Sequence, residues 1–121
     1  MKILFASDIH GSAYYCRRLL DIYKETKASR MVILGDILYH GPRNDLPKEY
    51  APKEVIAMLN TLKDQIYAVR GNCDTEVDQM VLQFPILADY ALLVLDGKTF
   101  YATHGHVFNQ DHLPPMQAGD I

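Results

Sequence analysis

Four short apolar runs, each of strand length, divide the chain, and each is followed by polar residues. The runs are residues 2–6, 31–34, 65–69 and 98–102. The first three alternate with segments of helical periodicity, and alternating strands and helices are typical of an α/β fold with a parallel sheet. The pattern therefore predicts a βαβαβ start.

The first two helices are indicated by their caps and by apolar spacing. Ser12 is a suitable N-cap for the first helix, and apolar residues recur after it at helical spacing. Pro52 suits the first position of the second helix. The apolar positions are Tyr15, Leu19, Ile22 and Tyr23 in the first helix and Val55, Ile56, Leu59 and Leu62 in the second.

A short third helix and a hairpin are expected in the second half of the chain. Thr75 and Asp78 have capping-box spacing, and Pro85 marks the expected stop. From residue 89 two strand-like runs flank Asp96-Gly97, a dipeptide suited to a type I′ turn. An antiparallel pair should therefore follow the parallel sheet. Residues 35–51 form an unusually long loop, and such loops in compact domains are often functional.

Composition bounds the class of protein. A length of 121 residues with 49% hydrophobic content predicts one domain, residues 1–121, with its own core. The net charge of -3 is spread along the chain, which argues against a broad nucleic-acid surface. Asp8 interrupts the N-terminal apolar run, so neither a signal peptide nor a membrane span is predicted. Cys16 and Cys73 are expected to be free thiols, and a cytoplasmic location is the default expectation.

The polar clusters that follow the four strands carry the candidate chemistry. They are Asp8-Ile9-His10, Gly35-Asp36, Gly71-Asn72-Cys73-Asp74 and Thr103-His104-Gly105-His106. Ligands gather at the carboxyl ends of the strands in open α/β sheets, so these distant segments should converge at one edge. Carboxylate, imidazole and amide groups brought together in this way predict a metal site.

Each cluster also has a simpler interpretation. In an extended segment Asp8 and His10 would project to the same side, with Ile9 in the core, but a surface Asp and His also occur together often. Asp36 could cap loop amides, and Asn72 could belong to an ordinary turn. One of the two histidines, His104 or His106, could be a hydrogen-bonded surface residue. The alignment of all four clusters at strand ends favours metal binding.

Taken in order, the four clusters resemble the signature of the calcineurin-like metallophosphoesterases. The segments at residues 5–12, 40–44, 71–74 and 103–106 look like those of the YfcE-type bacterial phosphodiesterases within that family. The resemblance implies a layered αββα architecture. It further implies a phosphodiesterase in which a metal-bridging water attacks phosphorus at a dinuclear centre.

The resemblance also implies the role of each residue. Asp8 and His10 would bind the first ion, Asp36 would bridge both, and Asn72 and His104 would bind the second. Mixed oxygen and imidazole ligands favour manganese, with zinc, iron or magnesium as alternatives. The expected partner is a small phosphodiester substrate, without a membrane partner, and the chain could form a homo-oligomer.

Two departures from the family pattern change what is expected. The closing Gly-His-x-His motif of the family has no match in residues 1–121, so the chain resembles an N-terminal portion without its last strands. This motivates an alternative function, a catalytically inactive protein-interaction module on the same fold. Cys73 stands where many members have a histidine that resembles a general acid, and a neutral thiol is a poor proton donor. An alternative interpretation of equal weight is that Cys73 is simply a small apolar residue packed in the structure.

Two arginines are candidates for binding the substrate phosphate, because a guanidinium can hold two oxygens at once. Arg43 lies in the long loop that begins at Asp36, and Arg70 precedes the third polar cluster. Either could be a surface cation. Arg43 is favoured, and with Asp36, Asn72 and Cys73 it completes the predicted catalytic set.

Overall fold

Three parallel strands form the sheet that carries the polar loops. The computed structural model describes residues 1–121, and its strands pair in the order β1-β2-β3, with β4 and β5 forming a separate antiparallel pair. The predicted βαβαβ start with a following hairpin is confirmed. The elements are β1 (Ile3–Ala6), α1 (Ala13–Thr26), β2 (Arg30–Ile33), α2 (Pro52–Asn60), β3 (Ile66–Ala68), α3 (Glu76–Val81), β4 (Ala91–Leu95) and β5 (Lys98–Ala102).

The main core lies between the parallel sheet and the first two helices. Two successive crossovers in the same direction along a sheet place both helices on one face. Met31 and Ile33 of the central strand and Val55 and Leu59 of α2 are fully buried in one cluster. The predicted apolar face of α2 is therefore confirmed.

The predicted local signals act as expected. The Ser12 hydroxyl accepts a hydrogen bond from the Tyr15 N–H at the start of α1. Thr75 and Asp78 form the reciprocal capping box of α3. The hairpin turn has positive φ at both central residues, Asp96 and Gly97, as a type I′ turn requires.

The buried face of α1 agrees with the prediction only in part: Leu19 packs against the core and Tyr23 is buried, as predicted, but Tyr15 and Ile22 are not. Tyr15 is 56% and Ile22 41% exposed, whereas Ala13, Cys16 and Tyr23 are buried. Apolar residues occupy two neighbouring faces of this helix, and periodicity alone does not choose between them. At the start of the helix, the Ala13 N–H donates to the Glu49 carbonyl and the Ser12 hydroxyl to the Lys48 carbonyl, which ties this end to the long loop.

α3 ends four residues before Pro85, earlier than predicted. The next segment is extended and buries Leu82, Phe84 and Ile86 in the core. The Gln79 side-chain amide donates to the carbonyls of Leu82 and Phe84 and accepts from the Ile86 N–H at 2.7 Å. The Gln79 side chain therefore supplies hydrogen-bond partners to three backbone groups of this segment.

The long loop that follows β2 is tied to the start of α1 at its far end. The Ser12 hydroxyl donates to the Lys48 carbonyl at 2.6 Å, and the Ala51 N–H donates to the Gly11 carbonyl at 2.8 Å. Gly11 has a positive φ, and a Cβ there would lie 2.6 Å from the Tyr50 ring. The loop therefore packs on a position that only glycine can occupy.

An apolar groove separates the parallel sheet from the hairpin. It has a volume of about 460 Å³ and is lined mainly by apolar residues such as Ile3, Tyr67, Leu92 and Val94. On the hairpin, Ile121 forms two backbone hydrogen bonds with β5, to Thr99 and from Tyr101. None of the helices has the length and apolar character needed to cross a membrane.

Replacement of a buried leucine of α2 should measure how much the main core contributes. Leu59 is 0% exposed, and we expect Leu59→Ala to lower the free energy of unfolding by about 2–5 kcal/mol. Urea unfolding measures the change. The matched control is Leu46→Ala in the long loop, where Leu46 is 64% exposed and the change should stay within about 0.5 kcal/mol. Equal effects of the two substitutions would contradict this description of the core.

Candidate metal centre

The loops after β1 and β2 run side by side beyond the end of the sheet. The Asp8 N–H donates to the Gly35 carbonyl at 3.0 Å, and the His10 N–H donates to the Asp36 carbonyl at 2.9 Å. Backbone pairing thus continues past the strands and brings the first two polar clusters together.

The backbone in these loops is not extended, which corrects the reason for expecting Asp8 and His10 on one side. Asp8, His10 and Asp36 have φ values of 59°, 50° and 57°, in the left-handed region. Non-glycine residues adopt this region at an energetic cost, and such residues cluster at functional sites. The two side chains nevertheless meet, with Asp8 Oδ1 and His10 Nε2 3.1 Å apart.

Asp36 lies at the centre of the predicted ligand set and is only 3% exposed. Its Oδ2 is 3.6 Å from His10 Nε2 and 3.4 Å from His104 Nε2. On the far side, His104 Nε2 is 3.0 Å from Asn72 Oδ1. The structure therefore brings all five predicted ligands together in one chain of close contacts.

The orientation of both imidazoles is fixed by backbone carbonyls. His10 Nδ1 lies 2.7 Å from the Tyr39 carbonyl oxygen, and His104 Nδ1 lies 2.6 Å from that of Leu34. A carbonyl oxygen only accepts, so Nδ1 is the donor in each ring. In the neutral ring Nε2 then carries a lone pair, and a carbonyl partner at the other nitrogen is the usual support of a metal-binding histidine.

The donor set fits divalent cations. Each Nε2 lone pair faces acceptor oxygens: those of Asp8 and Asp36 for His10, and those of Asp36 and Asn72 for His104. Facing acceptors repel one another unless a proton or a cation lies between them. Ligand atoms of Asp8, Asp36 and His104 all lie within 4.8 Å of one another. Carboxylate oxygens with neutral imidazole nitrogen suit first-row divalent metals.

The charges around Asp8 favour its ionised form. Burial acts to raise the pKa of Asp8, but the hydrogen bond from the Ser7 hydroxyl, together with His10 and His104 in their protonated forms, outweighs it, so the pKa lies below its ordinary value. Asp8 thus presents a carboxylate to the site at neutral pH.

Cys73 is half-buried beside the same carboxylate. Its backbone N–H donates to Asp36 Oδ1 at 2.8 Å, which leaves Oδ2 facing the imidazoles. Burial and then the charges of Asp36 and Asp74 raise the pKa of the Cys73 thiol, while Arg43 opposes them. The raised pKa favours the neutral thiol at physiological pH.

A polar cavity of about 260 Å³ lies over these groups. The predicted ligands line it together with Cys73 and residues of the long loop. The predicted phosphate ligand Arg43 is among these loop residues. Asn44, for which sequence analysis predicted no role, also lines the cavity, and the Asn44 side chain donates to the His40 carbonyl at 2.9 Å. The loop residues in the lining are Gly41, Pro42, Arg43 and Asn44.

Arg70 does not line this cavity. Its guanidinium Nε and Nη2 both donate to Asp89 Oδ1, at 3.1 and 2.8 Å. His106 is also outside the lining, although its ring centroid is 5.3 Å from that of His104. Burial and then the nearby Arg70 and His104 lower the pKa of His106. Of the two candidate arginines, only Arg43 faces the predicted ligands.

Asp74 is a residue whose importance sequence analysis missed. Its carboxylate is 6% exposed and accepts backbone N–H groups of Gly71, Asp36 and Ile37 at 2.7, 2.8 and 3.1 Å. Its only signal in the sequence is weak: an acidic residue two positions after the turn pair Gly71-Asn72.

Comparison with known proteins identifies the class. A sequence model of the calcineurin-like phosphoesterases matches residues 1–119, and the chain belongs to this family. Over its full 121 residues the chain is 48% identical to the phosphodiesterase YfcE of Escherichia coli strain K12. It is also 48% identical to the phosphodiesterase YfcE of Escherichia coli O157:H7. The chain spans 66% of the length of these relatives.

Solved structures agree with this assignment. A structure of YfcE, described as a phosphoesterase from E. coli, superimposes with a TM-score of 0.95 over 99% of this chain and 66% of the other, at 48% identity. An uncharacterised Streptococcus pneumoniae protein, described as a predicted phosphoesterase, has a TM-score of 0.50 at 23% identity over 90% of this chain and 48% of the other. The second comparison shows a shared fold.

The two cysteines should differ in reactivity in the metal-free protein. Burial raises the pKa of Cys16 to about 11, and Cys16 is 0% exposed, whereas Cys73 borders the cavity. We expect iodoacetamide to alkylate Cys73 first. The rate at Cys73 should rise with pH beyond neutrality, because only the thiolate reacts and its pKa is raised. Peptide mass spectrometry over a pH series measures both rates, and faster labelling of Cys16 would contradict the prediction.

Proposed function

We propose that this protein is a metal-dependent phosphodiesterase with a dinuclear centre. The observation that supports this most directly is the pair of imidazole Nε2 atoms, each oriented by a carbonyl at Nδ1 and each facing acceptor oxygens. Membership of the calcineurin-like phosphoesterase family and the name of the E. coli relatives support the reaction class.

We assign Asp8 and His10 to the first ion and Asn72 and His104 to the second. Asp36 is assigned to both, because its Oδ2 lies within 3.6 Å of both Nε2 atoms. Its buried negative charge would offset the repulsion between two cations. Oxygen and imidazole donors favour manganese, with zinc, iron or magnesium as alternatives.

Two bound divalent ions would supply Lewis acidity toward a phosphoryl group and a water that loses its proton near neutral pH. The chain itself positions the substrate. Arg43 would bind non-bridging phosphate oxygens. The Asn72 side chain could bind a metal ion through its amide oxygen or donate from its NH₂ group to a substrate oxygen. The neutral Cys73 thiol protonates a leaving group poorly, so phosphodiesters with good leaving groups should be the better substrates.

The remaining assignments also belong to this proposal. Residues 1–121 would act as one metallophosphoesterase domain on a small phosphodiester in the cytoplasm. Two unpaired cysteines, Cys16 and Cys73, suit a reducing compartment. The net charge of -3 does not favour a nucleic-acid surface. The expected homo-oligomer stays a prediction.

Loss of the central carboxylate should abolish activity. We expect Asp36→Asn to reduce manganese-dependent hydrolysis of an activated bis-aryl phosphodiester by about 10²-fold or more, because the bridging charge is lost. Metal analysis after dialysis should find fewer bound ions. Asp64→Asn, at an exposed carboxylate in the turn after α2, is the matched control and should retain both activity and ions.

The same experiment separates the enzyme from an inactive interaction module. A chain that retains about two ions and hydrolyses the diester supports the proposal. A folded chain that retains no divalent ion and shows no metal-stimulated hydrolysis would overturn it and favour the module.

Arg43 should contribute to substrate binding more than to turnover. We expect Arg43→Ala to raise KM for the activated diester about tenfold or more, because a charge-assisted contact to phosphate is lost. Steady-state kinetics at saturating manganese measures the change. Arg18→Ala removes an exposed arginine on α1 and should leave KM unchanged. An unaltered KM in Arg43→Ala would show that this guanidinium does not contact the substrate.

A further inference from the structure

Asp74 is a buried carboxylate without a cationic partner. It is 6% exposed, and none of the ion pairs in the structure includes it. Burial of an unpaired charge is costly unless hydrogen bonds replace its hydration. Three backbone N–H groups do so here, two at Oδ2 from Gly71 and Asp36 and one at Oδ1 from Ile37.

These donors belong to two different loops. Asp36 and Ile37 lie in the loop after β2, and Gly71 lies in the loop after β3. The loops touch at Gly71, where an added Cβ would lie 2.7 Å from the Asp36 backbone nitrogen. The Asp74 carboxylate therefore joins two backbones at the point where they approach most closely.

Both loops carry predicted metal ligands. Asp36 is itself a donor to Asp74, and Asn72 lies two residues before Asp74 along the chain. A shift of the Asp74 carboxylate would therefore move the Asn72 loop relative to the Asp36 carboxylate. The contacts between the loops after β1 and β2 do not involve Asp74, since they are backbone hydrogen bonds from Asp8 and His10.

We propose that Asp74 is a positioning residue that, together with the hydrogen bond from the Cys73 N–H to Asp36 Oδ1, sets the distance between Asp36 and Asn72, and with it the second metal site. This rests on the proposed function for the identity of the ligands. The positions of Asp8 and His10 should depend on Asp74 much less, because their backbone hydrogen bonds to the Gly35 and Asp36 carbonyls do not involve Asp74.

Asp74→Asn is the sharpest test, since it keeps the shape but places an NH₂ group against a backbone N–H. In the metal-free protein we expect the amide protons of Asp36, Ile37 and Gly71 to exchange at least about tenfold faster, measured by NMR. In titrations with manganese alone, one of the two binding steps should weaken about tenfold or more, and the other should change less than about threefold.

Asp78→Asn is the matched control. Asp78 also accepts a backbone N–H, from Thr75 at 3.1 Å, but it belongs to the capping box of α3 and does not line the cavity. This variant should leave the three amides and both manganese affinities unchanged. Asp74→Glu is the second variant: it keeps the charge on a side chain longer by one methylene, and it should speed the exchange of the same amides and weaken the same binding step.

Several results would overturn the proposal. Unchanged exchange of the three amides in both Asp74 variants would show that the carboxylate does not hold the loops. Equal weakening of both manganese steps would show a general structural role. A wild-type chain that binds no manganese would instead overturn the proposed function, while the amide exchange would still decide whether Asp74 holds the loops together.

Discussion

The buried carboxylate of Asp36 is the constraint on which the polar edge of the sheet depends. It is 3% exposed, and both imidazoles present Nε2 to the same oxygen. In a medium of low polarity, such an arrangement of acceptors is unfavourable until positive charge enters it. Cation binding and the order of these loops are therefore expected to be thermodynamically coupled.

The fold provides the rigidity that this arrangement requires. Met31, Val32 and Ile33 of the central strand are fully buried, and the loops after β1 and β2 remain paired beyond it. Close approach of the loops after β2 and β3 depends on Gly35 and Gly71, where a Cβ would collide with backbone or with the Asp36 carboxylate. Ligands from distant parts of the chain thus lie on a framework with little freedom to spread.

Sequence analysis predicted the elements well because each had a local cause, such as the Ser12 cap or the Asp96-Gly97 turn. It also predicted which side chains converge, since the carboxyl ends of parallel strands meet at one edge. It did not predict which face of α1 is buried, because apolar periodicity left two neighbouring faces open. It also missed the contacts of Asp74, because two of its three donors, Asp36 and Ile37, lie far away in the chain. The left-handed backbone at Asp8 and His10 was missed because neither residue is a glycine.

The long loop after β2 has a consequence for how specificity can diverge. Its far end is fastened to the start of α1 through Ser12 and Gly11, and its first residues pair with the loop after β1. The cavity-lining stretch that includes Arg43 lies between these two anchors. Under the proposed function, substitutions among residues 41–44 can reshape the substrate side of the cavity, whereas Tyr39 of the same loop must keep its place because its carbonyl orients His10. Under that proposal, substrate preference can diverge at residues 41–44 without a change in the predicted metal ligands, which all lie outside this stretch.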